Sequence, residues 1–341
     1  MEPSSSRQGA FSSPGSGVDA SWDVLEAQKL ELLRNSVAPS TWSSYATGIR
    51  QYLNFCGMFS VNPLPLSEVI LENFSASLQS RVAYKTIKVY LCGVQFWAKL
   101  HCCPILMVDM HRLQYLLQGI RRVQGDKFKK LPRPPVTWEL LQRICAFITS
   151  SEVPFNRDLY LAAVLLAFFG LLRVSEYTAP SSSRYDSSVC LCVQDVSICW
   201  PRGVALVKIK QSKTDPFRVG MTVRVGVIRH SLCPVLALDR YLARRGPRPG
   251  PLFRFQNGRF LTRANMRALL KRCLPDVPQV NTHSFRRGGA SALAAAGTPA
   301  HIIQVLGRWR SNAFTIYLDF PDSFVAAANF GMTKASPAPP Q

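Results

Sequence analysis

Acidic side chains are scarce in this sequence. Only 20 Asp and Glu stand against 41 Lys and Arg in 341 residues, a formal net charge of +21 and a pI near 10. Such a surplus favours a polyanionic partner, nucleic acid first. It fits solubility or a membrane-surface habit as well, because net charge carries no information about fold. Metal-ligand spacing is missing too. The ten cysteines are scattered, with Cys102 beside Cys103 and Cys190 one residue from Cys192, and form no C-x-x-C pair. They read as reduced thiols packed as small hydrophobes. No carboxylate cluster suits magnesium, so neither metal nor cofactor is expected. Residues 1–20 carry Ser, Gly and Pro where a secretory leader would carry an apolar core, which predicts an intracellular protein. The longest apolar run, Leu159 to Leu172, is shorter than the roughly 18 residues of a membrane span and predicts a buried helix. No internal repeat occurs.

What is present suffices for two packed cores, since 47 % of the residues are hydrophobic. The Ser-, Gly- and Pro-rich ends, 1–20 and 332–341, predict disordered tails. Helical periodicity starts near Val24 and is clear from Ser40 to Cys56, where Trp42, Tyr45, Ile49, Tyr52, Leu53 and Cys56 share a face. Further helices are expected after Pro65, from about Tyr84, and over Met110 to Val123, which makes residues 21–123 an all-α unit. Residues 124–135 combine prolines with Lys127, Lys129, Lys130 and Arg133 and read as a basic extended linker, able to follow a DNA backbone or simply to be solvated. The second unit, 136–331, opens with a helix over Trp138 to Ile148 and an apolar helix ending at Arg173. The β-branched runs Val189 to Ile198, Val204 to Ile209 and Val219 to Ile228 then predict a small antiparallel sheet. Helices resume after Asp239. The expected fold is mainly α with that one sheet.

Four places hold side chains with chemical potential. Arg173 follows Phe168-Phe-Gly-Leu-Leu172 directly, a permanent cation at the rim of the most apolar segment, with Glu176 three residues on to hold it. Lys213 lies in the polar turn Gln211-Ser-Lys-Thr-Asp-Pro-Phe217 between two strands. A hairpin lysine can give a proton to a leaving oxygen or merely be solvated, and Lys208 and Lys210 compete with it. His283 and Arg286, with Arg287 next, are spaced to share one helix face. An arginine fork can bond two non-bridging phosphate oxygens while an imidazole handles a proton. Finally, Leu306-Gly-Arg-Trp-Arg-Ser-Asn-Ala-Phe-Thr-Ile-Tyr317 follows a helix expected to be capped by Thr298 and Pro299, with Ser311 capping another. Taken alone, Trp309 and Tyr317 read as core aromatics.

In order and approximate spacing, Arg173, Lys213, His283-x-x-Arg286, Trp309 and Tyr317 resemble the catalytic residues of the tyrosine recombinase (phage-integrase-like) superfamily. The wording Gly-Leu-Leu-Arg-Val-Ser-Glu, Ser-Lys-Thr-Asp-Pro-Phe, His-Ser-Phe-Arg-Arg-Gly and Leu-Gly-Arg-Trp-Arg-Ser-Asn-Ala-Phe is most similar to recombinases of DIRS/Ngaro-type and Crypton-like mobile elements. The match covers residues 136–330 strongly and the first unit in outline. It implies a two-domain DNA clamp, a core-binding (SAM-like) α-helical domain plus an α+β catalytic domain acting on double-stranded DNA. It also implies a nucleophile, Tyr317, with Arg173 and Arg286 on the phosphate oxygens, Lys213 as general acid and His283 as acid or base. Trp309 lies eight residues before Tyr317 and Arg308 nine, the spacing of many relatives. The sixth place is assigned to Trp309, whose indole can pack beside the scissile phosphate and donate from its N–H, with Arg308 as the supporting alternative. Arg287 and the linker cations are expected on DNA. The apolar segment Pro321 to Phe330 is expected to dock either on its own domain or on a neighbouring subunit, giving a homo-oligomer. The nucleus is the expected compartment. Two other functions fit the same residues, a silent DNA binder derived from such an element and a type IB topoisomerase-like enzyme.

Overall fold

The computed structural model describes residues 21–101, 110–128, 133–212, 215, 219–311 and 315. Two compact units divide at Lys130. The first contains α1 (Trp22–Asn35), α2 (Pro39–Met58), α3 (Glu68–Leu78), α4 (Tyr84–Leu100) and α5 (His111–Gln124). Its core gathers Tyr52, Phe55, Leu71, Phe74, Ile87, Leu91, Val94 and Leu113. Phe55, three residues after Tyr52, takes the core position expected of Leu53, which is 39 % exposed at the edge of that face.

Helices α2 and α4 cross at van der Waals distance because each offers a glycine to the other's tyrosine. A Cβ on Gly48 would lie 2.6 Å from Tyr90 Cα, and one on Gly93 would lie 2.8 Å from Tyr45 Cα. Gln124, read from sequence as the start of the linker, instead closes α5. Its amide is buried and bonds to Tyr84 N, Gln79 O and Val82 O, so three backbone groups between α3 and α4 are satisfied by one side chain.

The second unit holds α6 (Trp138–Ser151), α7 (Pro154–Phe169), α8 (Val174–Tyr177), β1 (Val196–Cys199), β2 (Val204–Ile209), β3 (Met221–Gly226), α9 (Pro234–Arg245), α10 (Arg263–Cys273), α11 (Ser284–Ala295) and α12 (Ala300–Gly307). Helix α7 is the axis of the core and is buried from Asp158 to Phe168. Its one carboxylate, Asp158, is paired with Arg244 of α9 at 2.6 Å, which satisfies a charge that burial would otherwise make costly. The strands form one antiparallel sheet in the order β1-β2-β3, with Val196 opposite Val207 and Ile209 opposite Met221. Ala205, Val207 and Ile209 turn inward and Lys208 outward, as period-two alternation requires.

Two of the expected strands are shorter than their β-branched runs. β1 pairs with only four of the six β2 residues, and β3 keeps the six that pair with all of β2. The chain before β1 is folded into a 3-10 turn, Val193–Asp195, capped by the Asp195 carboxylate on Cys192 N at 2.8 Å. No described helix is long and apolar enough to cross a membrane, and the eight described cysteines are free thiols.

Candidate active site

The apolar α7 does not run on to Arg173 as its composition suggests. It ends at Phe169, Gly170 caps it, and Leu171 adopts a left-handed φ of 48° that reverses the chain. Arg173 is thereby placed at the N-cap of α8, with Glu176 at the third helical position. The Glu176 carboxylate accepts from Arg173 N at 2.9 Å and from Arg173 Nη1 at 2.8 Å. The pair anticipated along a helix face is therefore a helix cap.

The turn Gly170–Leu171 is also where two other arginines arrive. Arg286, in the first turns of α11 and only 1 % exposed, donates from Nη1 to Leu171 O at 2.6 Å and from Nη2 to Gly307 O. Arg308, just beyond α12, donates from Nη1 to Gly170 O at 3.0 Å. Its Nη2 donates to Leu171 O at 2.9 Å and to Glu176 Oε2 at 2.8 Å. One carbonyl oxygen, that of Leu171, thus serves two guanidinium groups.

Trp309 lies against Arg286, its ring centroid 4.4 Å from the guanidinium carbon, a cation–π geometry. The indole fits only because residue 307 is glycine, since a Cβ there would fall 1.5 Å from the Trp309 ring. Gly288 and Gly289 do the same for α11. A Cβ on Gly288 would meet Val136 O at 1.9 Å, and one on Gly289 would meet Phe168 O at 2.4 Å. The helix that carries Arg286 can therefore lie directly on the end of α7. These three glycines and Leu171 were not singled out by sequence reasoning; the only signal was the Gly-Gly pair after Arg286-Arg287.

Among the described residues, Arg173 and Arg308 share one carboxylate, Glu176, while the two Nη atoms of Arg286 donate to backbone carbonyls. Burial, followed by the fields of Arg286, Arg133, Arg173 and Arg287, pushes the His283 imidazole down to a pKa of about 4. His283 is then neutral at neutral pH. Burial likewise pulls the Arg308 guanidinium below its usual value, against the opposing pull of Glu176. Guanidinium groups gathered in a partly buried site stabilise an incoming anion.

Arg133 and Arg287, expected on DNA, belong to this cluster through their fields on His283. Lys127, in the first unit, lies 5.7 Å from the Phe128 ring centroid. Of the two competitors to Lys213, Lys210 is bound to Asp195 at 2.6 Å and to Ser187 O, while Lys208 points outward from β2. The hairpin carrying Lys213 is closed at its root by a Ser212–Asp215 bridge and by Asp215 accepting from Gly220 N at 2.8 Å. This root, the last turn of α12 and the residues Arg308, Trp309 and Arg310 that follow it line a cleft of about 510 Å³. Lys129, Lys130, Lys213, Tyr317 and the segment Pro321 to Phe330 lie outside the described residues, as does the helix expected after Ser311. Among the described residues no three His, Cys, Asp or Glu side chains converge in a way that could hold a metal.

Solved structures settle the architecture. The Tn1549 transposon integrase in complex with transposon right-end DNA aligns with 91 % of this chain and 98 % of its own at 15 % identity, with a TM-score of 0.58. The chain has the integrase fold. The XerH site-specific recombinase bound to a palindromic difH substrate aligns over 85 % of this chain and 78 % of its own, at 17 % identity and a TM-score of 0.55. A lambda integrase dimer bound to a COC' core site gives 86 % and 76 %, at 13 % identity and a TM-score of 0.52. No protein-family model and no curated protein sequence matches the chain. At these identities the likeness is one of integrase fold, and chemistry has to be argued from side chains.

Proposed function

We propose that this chain is a tyrosine recombinase that breaks and rejoins double-stranded DNA. The observation that carries the reading is the gathering of Arg286 on the Leu171 carbonyl, Arg173 two residues beyond that turn, Trp309 over the Arg286 guanidinium, and His283 within the field of both arginines. In this reading the Tyr317 oxygen attacks a backbone phosphorus and the bond from phosphorus to the 5'-oxygen breaks. The products are a 3'-phosphotyrosyl enzyme and a 5'-hydroxyl, which takes its proton from Lys213. Attack by a 5'-hydroxyl of another strand reverses the step, so phosphodiester energy is conserved and no nucleotide cofactor is consumed.

Arg173, 17 % exposed in its side chain, offers its fork to a non-bridging oxygen. Arg286, next to the Trp309 indole, is assigned to the same phosphate, which it reaches by exchanging its bonds to Leu171 O and Gly307 O for phosphate oxygens. His283 enters the reaction neutral, able to accept the phenolic proton at the pH of the cell. Arg133, Arg287 and the linker lysines 127, 129 and 130 add backbone contacts. The mobile-element origin, the nucleus as compartment and assembly through residues 321–330 belong to the same proposal, drawn from the motif wording.

The test is covalent capture. Duplexes recovered from a randomised library by binding to the protein are nicked near the bound site and incubated with wild type and Tyr317→Phe in EDTA. Wild type yields a protein–DNA adduct stable to denaturant and Tyr317→Phe yields none. Absence of an adduct with wild type on every selected duplex would leave a DNA-binding protein without strand cleavage.

A further inference from the structure

We propose that Arg308 is a positioning residue that touches no DNA and keeps the Arg173 fork open by occupying one side of Glu176. The inference rests on the phosphate reading of the site and names a device within it. Arg308 has a left-handed φ of 60°, which aims its side chain back beneath α12 and sends Trp309 to the other side, over Arg286. Only 5 % of that side chain is exposed. All of its hydrogen bonds run inward, to Gly170 O, Leu171 O and Glu176 Oε2, and its Nε is buried with no partner among the described residues. No donor of this guanidinium is presented to a phosphate.

Its effect is felt through Glu176. The two carboxylate oxygens have separate duties. Oε2 receives Arg308 Nη2 and Arg173 N, while Oε1 receives Arg173 Nη1. Arg173 is therefore held by one prong, and among the described residues Nη2 and Nε bond to nothing. A carboxylate and a guanidinium left alone prefer the two-pronged pairing. Without Arg308, Glu176 can take Arg173 with both oxygens and withdraw it from the phosphate. The side chain at nine residues before Tyr317 thus acts on the neighbouring cation, and the position beside the phosphate falls to Trp309.

A double-mutant cycle on DNA binding tests this. The slope of log affinity against log salt is measured on a selected duplex for wild type, Arg308→Met, Arg173→Met and the double variant. Each phosphate contact contributes about 0.9 to that slope. Arg173→Met is expected to lower it by about one contact, Arg308→Met by up to the same amount, and the double variant no further than Arg173→Met alone. Loss of about two contacts in the double variant would make Arg308 a direct phosphate ligand and overturn the proposal, as would an unchanged slope in Arg308→Met. Should Arg308→Met melt below the working temperature, Arg308→Lys replaces it in both backgrounds with the same expected dependence on Arg173. The cycle reads binding only. A wild type that binds but forms no adduct refutes the recombinase reading and leaves this inference to be decided by the slopes.

Discussion

Replacing Glu176 by Gln removes the negative charge that Arg173 and Arg308 share while hardly changing shape. The side chain is fully buried, and it accepts from Arg173 N, Arg173 Nη1 and Arg308 Nη2. Breaking a buried pair by removing one partner costs about 3–5 kcal/mol, because the remaining charge is left uncompensated. The amide keeps one acceptor but turns an N–H₂ towards a guanidinium, so the upper part of that range applies. Against a total stability of about 5–15 kcal/mol, such a loss is severe. At about 2–4 °C per kcal/mol for a unit of this size, the melting temperature of the second unit falls by roughly 8–20 °C.

Removing the partner charge as well, in Glu176→Gln/Arg308→Met, eliminates the stranded cation and should recover part of the loss, since apolar replacement of a buried pair is often neutral. Scanning calorimetry of the full chain separates the two units, and urea titration gives the free energies. A Glu176→Gln protein melting within about 2 °C of wild type, or a double variant less stable than the single, refutes the electrostatic role of Glu176.

Three further outcomes follow from the geometry. Gly93→Ala places a methyl 2.8 Å from Tyr45 Cα, so the first unit should lose about 1–3 kcal/mol by overpacking; the gain of about 1 kcal/mol that Ala brings to an open helix would appear instead if the crossing could relax. His283 binds a proton less readily folded, at about 4, than unfolded, at about 6.5. As pH falls from 6.5 to 4 the unfolded chain takes up the proton first and the folded state loses stability, while above 6.5 the group contributes no pH dependence. His283→Gln should make the denaturation free energy fall less steeply across that window, and an identical slope in the two proteins counts against the depressed pKa. Deleting residues 321–341 should abolish higher-order assembly on DNA in sedimentation experiments and spare binding of one protomer; assembly that survives the deletion removes that segment from the interface.

The helices were legible because their signal is local. Ile49, Tyr52 and Cys56 repeat at helical spacing and are buried, and Val136, Leu141 and Ile144 lead α6 into the core. The spacing of His283 and Arg286 likewise places one at the N-cap and the other in the opening turn of α11. What sequence could not supply were features set by distant backbone. The left-handed Leu171 carries no glycine or asparagine to announce it. Its carbonyl is completed by residues 115 and 137 positions away. Arg308 reads from spacing as a reacting group, and only the reversal of the chain at its own φ turns it inward. Strand ends escaped for a similar reason, since β-branched composition marks residues suited to a sheet and not where the pairing stops.

The contact between Val136 and α11 decides how this protein can be cut. Val136 N donates to Ser284 O at 2.9 Å, and its own carbonyl occupies the space a side chain at Gly288 would need. Arg133, a few residues upstream, contributes to the field on His283. A fragment designed to retain the second unit alone must therefore start before Arg133. One beginning at the α6 cap, Thr137, would look complete by its helices yet bare the flank of the very helix that bears Arg286.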